Sequence, residues 1–173
     1  MSDPDADIRL REATADDLDA VWTIFAPIVA AGETYAFPRD TTREECRRIW
    51  IDQPQKTLVA ETSQGVLGTY FLKPNAAGPG GHVCNCGYMV APEARGRGLA
   101  AAMCVHSQDL ARTLGYRMMQ FNAVVETNTG AIALWQRLGF ETVGRVPRAF
   151  AHPTKGFVDI FVMAKWLGDR APV

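Results

Sequence analysis

The stretch HVCNCGYMVAPEARGRGLAAAMC, from His82 to Cys104, restricts the possible fold more than any other part of this chain. Residues 82–90 read as a strand that Pro92 ends, and the apolar spacing that follows predicts a helix over about 96–114. The turn Arg95–Gly98 carries two glycines, although glycine costs a helix about 1 kcal/mol relative to alanine. A helix start leaves backbone N–H groups without partners, and glycines let a phosphate approach them. We therefore predict an anion-binding turn, the alternative being a basic turn whose glycines serve tight packing.

The rest of the chain alternates between strand and helix patterns. A strand over 8–12 precedes a helix capped by Thr14, which Pro27 should kink or end early. Further elements are predicted as a helix at 42–50 capped by Thr41 or Thr42, strands on either side of the turn at 63–65, a loop at 75–81, a strand at 117–126, a helix at 129–138, and strands near 140–146 and 157–164. The order β-α-α-β-β-β-α-β-α-β-β predicts an α/β fold, with residues 1–173 as one domain around a mixed sheet.

Composition and charge argue against several classes of function. The 173 residues are 47% hydrophobic and 21% charged, which is typical of a globular domain. A net charge of −1 gives no general attraction to nucleic acid or to an anionic membrane. No apolar run approaches the ~20 residues of a membrane span, and the acidic start MSDPDADIRLRE lacks the apolar core of a signal peptide. We therefore expect a cytoplasmic protein with no nucleic-acid or membrane partner.

The cysteines and histidines are candidate metal ligands. Cys84 and Cys86 share one face of the predicted strand with His82. A zinc site requires three or four convergent ligands, and no further pair of Cys or His residues completes one. We therefore expect buried thiols and no metal site. His106 lies on the apolar stripe of the helix over 96–114, which favours a core or boundary role over a catalytic one.

Two phosphate-binding motifs fit the glycine turn poorly. The turn is not a P-loop, because no Gly-Lys-Ser/Thr follows the glycines. The stretch from Gly96 to Ala101 satisfies the dinucleotide fingerprint G-x-G-x-x-A, which should directly follow a strand and precede an acidic residue by ~20 positions. Residues 92–94 intervene here, and Glu126 lies well beyond that spacing. A Rossmann-type dinucleotide site is therefore not favoured.

The pattern Arg95-x-x-Gly98-x-Ala100 matches the R/Q-x-x-G-x-G/A signature of the GNAT superfamily of N-acetyltransferases, which the chain resembles over about residues 8–165. The opening IRLREATADDLDAV is also typical of this family, as is the later pattern N-x-x-A-x-x-L-W-x-x-L-G-F, formed by Asn128, Ala131, Leu134, Trp135, Leu138, Gly139 and Phe140. The chain is most similar to the phosphinothricin-type amino-acid acetyltransferases and to the fungal azetidine-2-carboxylate acetyltransferases. The resemblance implies a mixed central sheet flanked by helices, splayed central strands, acetyl-CoA as co-substrate and a homodimer formed through the C-terminal strands.

The resemblance also implies which residues hold coenzyme A. Its pyrophosphate would bind the backbone amides of the glycine turn, formed by Arg95, Gly96, Arg97, Gly98, Leu99 and Ala100. The pantetheine arm would pair with the preceding strand around Met89 and Val90, in the gap beside the strand over 117–126. Asn128 would contact the same arm, and asparagine is also a good cap for the helix over 129–138.

Acetyl transfer to an amine needs a neutral nucleophile, a donor for the developing oxyanion and a proton or dipole for the leaving thiolate. Many relatives carry a glutamate in the strand before the glycine turn, where this chain has Asn85. The azetidine-carboxylate branch shares this asparagine and has a second one on the next strand, here Asn122. We predict that the two face each other and act in catalysis and substrate binding, the alternative being a buried bridge between strands. Proton removal would fall to water, to His82 or to an amine that arrives neutral.

The resemblance also bears on the general acid and on the acceptor pocket. Many relatives have a tyrosine in the last helix where this chain has Trp135, which suits packing against coenzyme A or the core; Tyr88 is an alternative acid. The resemblance places Tyr35 and Phe37 over the acceptor. Arg145, Arg148 and Lys155 are candidates for binding a carboxylate, with solvated surface charge as the alternative for each.

These observations predict an acetyl-CoA-dependent N-acetyltransferase. Its acceptor would be the amine of a small molecule, an amino acid or an analogue such as phosphinothricin or a cyclic imino acid. Aromatic residues in the acceptor loop suit a small, partly apolar substrate. The alternatives are an enzyme that acetylates proteins or peptides and a non-catalytic acyl-CoA sensor, which the missing glutamate and tyrosine would favour.

Overall fold

The computed structural model describes residues 8–169. The sheet in this part of the chain has seven strands in the order β1-β2-β3-β4-β5-β7-β6. The strands are β1 Arg9–Glu12, β2 Lys56–Thr62, β3 Gly65–Pro74, β4 Val83–Val90, β5 Met118–Val125, β6 Glu141–His152 and β7 Gly156–Trp166. The helices are α1 Leu18–Ala31, α2 Arg43–Cys46, α3 Leu99–Thr113 and α4 Thr129–Arg137. The acidic residues 1–7, part of the basis for expecting no signal peptide, lie outside the described residues.

The observed order of strands and helices is the predicted one, and the α/β fold class with a mixed sheet flanked by helices is confirmed. Of the two threonines proposed to cap α2, Thr42 does so. Its side chain accepts from the N–H of Glu45 at 3.3 Å, and its own N–H donates to the Glu45 carboxylate at 2.8 Å. This reciprocal pair satisfies two donors at the helix start.

Three predicted boundaries were wrong. Helix α1 does not end early at Pro27, one of the two outcomes predicted for it, but continues four residues further, because Phe25 and Val29 are buried on its apolar stripe and packing holds it together. The helical segment does not end after α2. It continues as a π-helix with i→i+5 hydrogen bonds over Arg47–Asp52. Strand β6 runs past residue 146 to His152, with a bulge between Val146 and Phe150.

Helices cover both faces of the sheet. On one face, Trp50 is fully buried, packs edge-on against Phe71 at 4.8 Å and contacts Phe25 of α1. On the other face lies α3, where His106 Nδ1 is hydrogen-bonded to the Tyr70 hydroxyl at 2.8 Å, as expected of a boundary histidine. None of the helices within residues 8–169 has both the length and the apolar character needed to cross a membrane.

The central strands β4 and β5 separate along their length. They pair in parallel only at Val83 with Met118 and at Cys84 with Met119. Beyond these two pairs, β4 continues to Val90 and β5 to Val125, and the two strands do not pair with each other. The predicted splay is thus confirmed, and backbone groups of both strands line a wedge-shaped gap at the centre of the sheet.

Candidate active site

The gap between β4 and β5 belongs to a cavity of about 1050 Å³. Its walls come from both strands, the loop after α1, the start of α4 and the β6–β7 hairpin. Most of the residues predicted for the site line it: Tyr35, Phe37, Asn85, Met89, Val90, Arg95, Ala100, Asn122 and Asn128. Gly96, Arg97, Gly98 and Leu99 are not among its lining residues and form the turn that joins its edge to α3.

The glycine turn has the conformation and the open space that an anion site requires. Gly96 and Gly98 have φ angles of 77° and 82°, in the left-handed region that favours glycine. A Cβ atom on either residue would meet no other atom within 4 Å, so tight packing does not explain them. Helix α3 begins at Leu99, and its first N–H groups, with the positive end of its dipole, adjoin this open space. The turn therefore fits a phosphate group.

Asn85 lies one residue past the last backbone pair between β4 and β5. Its Nδ2 donates to the carbonyl of Gln120 at 2.9 Å, so the side chain extends the contact between the two strands. The residue is 9% exposed, yet its Oδ1 makes no hydrogen bond within residues 8–169 and is not sealed from solvent. Asn85 therefore forms the bridge considered for it and also presents a free acceptor to the cavity.

Asn122 lines the same cavity but is not hydrogen-bonded to Asn85. Its Nδ2 donates to Asn75 Oδ1 at 2.7 Å, and its Oδ1 accepts from the side chain of Gln120 at 3.0 Å. Both ends of this exposed carboxamide are thus engaged by neighbouring side chains. The two asparagines therefore line the same cavity, as expected, but they do not bond to each other as a pair.

The aromatic loop after α1 is held firmly against the sheet. The rings of Tyr35 and Phe37 stack with centroids 5.7 Å apart, and the Tyr35 hydroxyl donates to the carbonyl of Tyr88 at 2.7 Å. Tyr35 also packs edge-on against the buried Trp50 at 5.8 Å. Burial raises the pKa of Tyr35, so its hydroxyl remains a neutral donor. This wall of the cavity is therefore apolar and fixed by the core.

Of the three basic residues considered for a substrate carboxylate, the structure brings one to the cavity. Lys155 lines it. Arg145 instead forms an ion pair with Asp159, and the backbone N–H of Arg148 donates to the same carboxylate at 2.8 Å. These two contacts hold the β6 bulge, where Arg148 has a φ of 55°.

Sequence reasoning missed several polar residues of the cavity: Glu33, Lys73, His152 and Thr154. Lys73 pairs in register with Asn85 on the neighbouring strand, so a correct pairing of β3 with β4 would have placed it there. The hairpin residues carried no such signal, because β6 was expected to end six residues before His152. Among the cavity's lining residues, Glu33 is the sole carboxylate, against three cationic side chains.

Residues 18–140 match the model of the acetyltransferase (GNAT) family. The chain belongs to this family. A GCN5-related N-acetyltransferase from Kribbella flavida is 47% identical with a TM-score of 0.87, and the match covers 92% of this chain and 97% of that one. The chain is therefore a GNAT enzyme that uses acetyl-CoA as the acetyl donor for an amine.

Two further relatives extend the comparison. The N-acetyltransferase aca1 of Schizosaccharomyces pombe is 28% identical, over 78% of this chain and 72% of its own length. A phosphinothricin acetyltransferase from Sinorhizobium meliloti, solved with acetyl-CoA, shares the fold at a TM-score of 0.83 and 24% identity, over 96% of this chain and 93% of that one. The family resemblance suggested by the glycine turn is thus confirmed.

Two aromatic residues considered near the leaving thiolate of this acetyltransferase are occupied in the core. Trp135 is buried and packs 5.1 Å from the rings of both Tyr88 and Phe121, which confirms its packing role. The Tyr88 hydroxyl is hydrogen-bonded to Ser107 Oγ at 2.7 Å on the α3 side, and burial raises its pKa well above the usual range. It is therefore poorly suited to act as an acid in the gap. Asn128 caps α4 through the N–H of Ala131 at 3.3 Å.

The four cysteines are free and buried, as predicted. Burial raises the pKa of Cys46 to about 12 and that of Cys86 well above its usual range, so both thiols stay protonated. Within residues 8–169, no group of three or more His, Cys, Asp or Glu side chains is placed to hold a metal ion.

Proposed function

We propose that this acetyltransferase acetylates the amine of a small molecule, namely an amino acid or an analogue of the phosphinothricin or cyclic imino acid type. The observation that carries the proposal is the construction of the cavity: Tyr35 and Phe37 form an apolar wall, and the β6–β7 hairpin adds polar and basic groups. A small ion with an apolar body fits such a mixture of walls. The S. meliloti relative, named a phosphinothricin acetyltransferase, supports the same substrate class.

The glycine turn and the splayed strands would hold the acetyl donor. Its pyrophosphate would bind the N–H groups from Arg95 to Ala100, and its extended arm would pair with β4 at Met89 and Val90. Asn128 caps α4 and lines the cavity, so it can serve the helix and contact that arm at once. The gap supplies unpaired backbone groups to this arm, as a sheet edge does to an added strand.

Asn85 would orient the acceptor amine. A neutral amine can donate one N–H to the free Asn85 Oδ1 and direct its lone pair at the thioester carbonyl. Backbone N–H groups of β4 within the gap would stabilise the oxyanion. Since an asparagine cannot take up a proton, the proton would leave to water or to Glu33, the carboxylate of the cavity lining. Asn122 would act from the opposite strand as a donor to the substrate, through the second N–H of Nδ2, which its bond to Asn75 leaves unused.

The deciding experiment measures thiol release from acetyl-CoA with a panel of acceptors: free L-amino acids, phosphinothricin, azetidine-2-carboxylate, polyamines, and short peptides with free N-termini. Turnover confined to amino acids or their analogues is the expected result. Acetylation of peptides alone would replace the proposal with a peptide acetyltransferase. Acetyl-CoA binding by calorimetry without turnover on any acceptor would indicate an acyl-CoA sensor.

The same enzyme would form a homodimer through the β6 edge of its sheet. This strand is twelve residues long and pairs with β7 on one side only. Exposed apolar side chains lie on the same hairpin, including Val143 and Phe157, the latter 73% exposed. A second copy related by a two-fold axis would cover this edge. An uncovered edge strand can pair with other chains and lead to aggregation. Light scattering should give the mass of a dimer, and Phe157→Glu should shift it toward the monomer; a monomeric wild type would contradict the proposal.

A further inference from the structure

We propose that the β6–β7 hairpin recognises a carboxylate of the acceptor, with the Nε2–H of His152 as the hydrogen-bond donor and Lys155 as the countercharge. This inference rests on the proposed function and names the residues that would bind the carboxylate of its amino-acid acceptor. Nothing in the sequence pattern pointed to His152, which comes from an unexpected extension of β6.

The hairpin fixes the orientation of the His152 ring. His152 is the last residue of β6 and pairs with Gly156, the first residue of β7, so a short turn joins them. Gly156 has a φ of 73°, which lets the chain reverse this tightly. The backbone N–H of Thr154 donates to His152 Nδ1 at 3.3 Å, and the Thr154 hydroxyl lies 3.4 Å from the same atom.

This contact determines which ring nitrogen carries the proton. A backbone N–H can only donate, so Nδ1 must be the unprotonated nitrogen. In the neutral imidazole the proton then resides on Nε2. Nε2 makes no hydrogen bond to any residue in the described part of the chain and is not sealed from solvent, although the residue is only 8% exposed. His152 therefore offers an N–H donor to the cavity that it lines.

The same geometry disfavours a role as general base. The unprotonated nitrogen is occupied by the turn, and the nitrogen that faces away from the turn already holds a proton. A group of this kind can bind an anion or a carbonyl oxygen but cannot accept the proton of the amine from the same atom. The ring is thus suited to substrate recognition.

The charges around the cavity favour a carboxylate over a neutral oxygen. Lys155 follows Thr154 on the same turn, and Lys73 lines the cavity from β3. Arg95 is the third cation, at the glycine turn, and Glu33 is the carboxylate of the lining. A hydrogen-bond donor with a lysine three residues away on the same hairpin, in a cavity whose lining has more cations than carboxylates, is a suitable partner for the anionic group of an amino acid.

The test uses two substitutions that each keep one nitrogen position of the ring. His152→Asn keeps a polar atom near Nδ1 for the turn but removes the donor at the Nε2 position. His152→Gln keeps an amide donor near the Nε2 position but loses the acceptor for Thr154. For each protein, kcat/KM is measured for the best amino acid of the panel and for the primary carboxamide of that amino acid.

We expect the wild type to prefer the amino acid. His152→Asn should reduce this preference about 10- to 100-fold, the usual effect of losing a hydrogen bond to a charged group, while His152→Gln retains most of it. Lys155→Met should raise KM for the amino acid and leave KM for the carboxamide unchanged. The KM for acetyl-CoA should not change in any variant.

Other results would overturn the inference in distinct ways. If His152→Gln loses activity and His152→Asn keeps it, the ring only holds the turn. If both variants lower kcat equally for acid and carboxamide, His152 takes part in proton transfer. If the wild type acetylates small amines but does not distinguish acid from carboxamide, the inference fails and the proposed function stands. If it acetylates no small amine, the proposed function itself fails.

Discussion

At the scale of single residues, Asn85 has a structural role as a bridge between two strands and a proposed chemical role as a hydrogen-bond acceptor. Its Nδ2 is bound to the carbonyl of Gln120 on the neighbouring strand, and its Oδ1 is free within the described chain. The same side chain thus closes the narrow end of the gap and lines the cavity in which the acceptor is proposed to bind. A residue with both roles affects stability and turnover together when it is replaced.

Asn85→Ala should therefore lower the free energy of unfolding by about 1–3 kcal/mol, because the Gln120 carbonyl loses its buried donor. It should also reduce kcat/KM for the acceptor by about 10- to 100-fold, since the amine loses an orienting contact. Urea unfolding and steady-state kinetics measure the two effects. Asn75→Ala is the matched control: it removes the bond to the exposed Asn122 and should change stability by less than about 0.5 kcal/mol. Equal losses in both variants would contradict the role given to Asn85.

Local sequence rules identified the residues whose role depends on near neighbours. Thr42 and Asn128 cap helices because a cap needs only the next three residues. Strand pairing brings Lys73 to the cavity, and such pairing joins residues that are separated in the sequence. His152 reaches the cavity through a hairpin whose position depends on where β6 ends. No local pattern encodes such positions.

At the scale of elements, the sequence predicted the position of the turn before α3 well. Its two glycines have the positive φ angles that the turn needs, and the open space beside them at the helix start fits a phosphate. The predictions that failed concern elements held by tertiary contacts. Helix α1 passes through Pro27 because its apolar stripe is buried, and β6 continues beyond Pro147 because a bulge accommodates the missing N–H.

The phosphate-binding role proposed for Gly98 can be tested by comparison with Gly115, which follows the other end of the same helix. Gly98 and Gly115 both have left-handed φ angles, 82° and 91°, and a Cβ on either would meet nothing within 4 Å. Gly98→Ala and Gly115→Ala should each cost about 1 kcal/mol of stability through backbone strain. Only Gly98→Ala should raise KM for acetyl-CoA, because only that residue borders the proposed phosphate site. A similar rise in both variants would mean that strain, not phosphate binding, explains the effect.

The junction of β1 with α1 makes stability depend on pH. The Asp17 carboxylate accepts from two nitrogens of Arg11 at 2.8 Å each and from the N–H of Thr14 at 2.7 Å, which lowers its pKa to about 2. Because the folded pKa is below the ordinary value of 3.8, the stabilisation is complete above about pH 4 and is lost as pH falls toward 2.

Asp17→Asn should therefore lower the free energy of unfolding by about 1–2 kcal/mol at pH 7, and the difference from wild type should shrink between pH 4 and pH 2. Denaturant titrations at several pH values measure it. Glu12→Gln is the control, since its ion pair with Lys56 is exposed and should contribute less than about 0.5 kcal/mol. A difference for Asp17→Asn that is constant from pH 7 to pH 2 would assign the effect to packing instead of charge.

At the scale of the whole molecule, the two halves of the sheet share few hydrogen bonds between strands. Strands β1–β4 form one half and β5–β7 the other, and β4 and β5 are joined by two backbone pairs and the Asn85–Gln120 bond, to which the Asn122–Asn75 bond and the packing of Tyr88 on Phe121 are added. Helix α3 follows β4 and leads into β5, so the chain also links the halves across the glycine turn. An acetyl donor bound in the gap would contact both halves and the start of α3, and it should couple them.

Acetyl-CoA should therefore protect a defined set of amides from hydrogen exchange. These amides lie in β4 from Asn85 to Val90, in β5 from Gln120 to Val125 and at the start of α3, because bound ligand would pair with or cover them. Strands β1 and β2, far from the gap in the sheet order, should change little. At a concentration 100 times its Kd, the ligand should stabilise the fold by about 2.7 kcal/mol, which a thermal melt detects. Gly98→Ala protein at the same acetyl-CoA concentration should show weaker protection in all three segments, since its phosphate site is strained. Protection confined to α3 would mean that the nucleotide end binds without the arm entering the gap, and the role of the splayed strands would then be wrong.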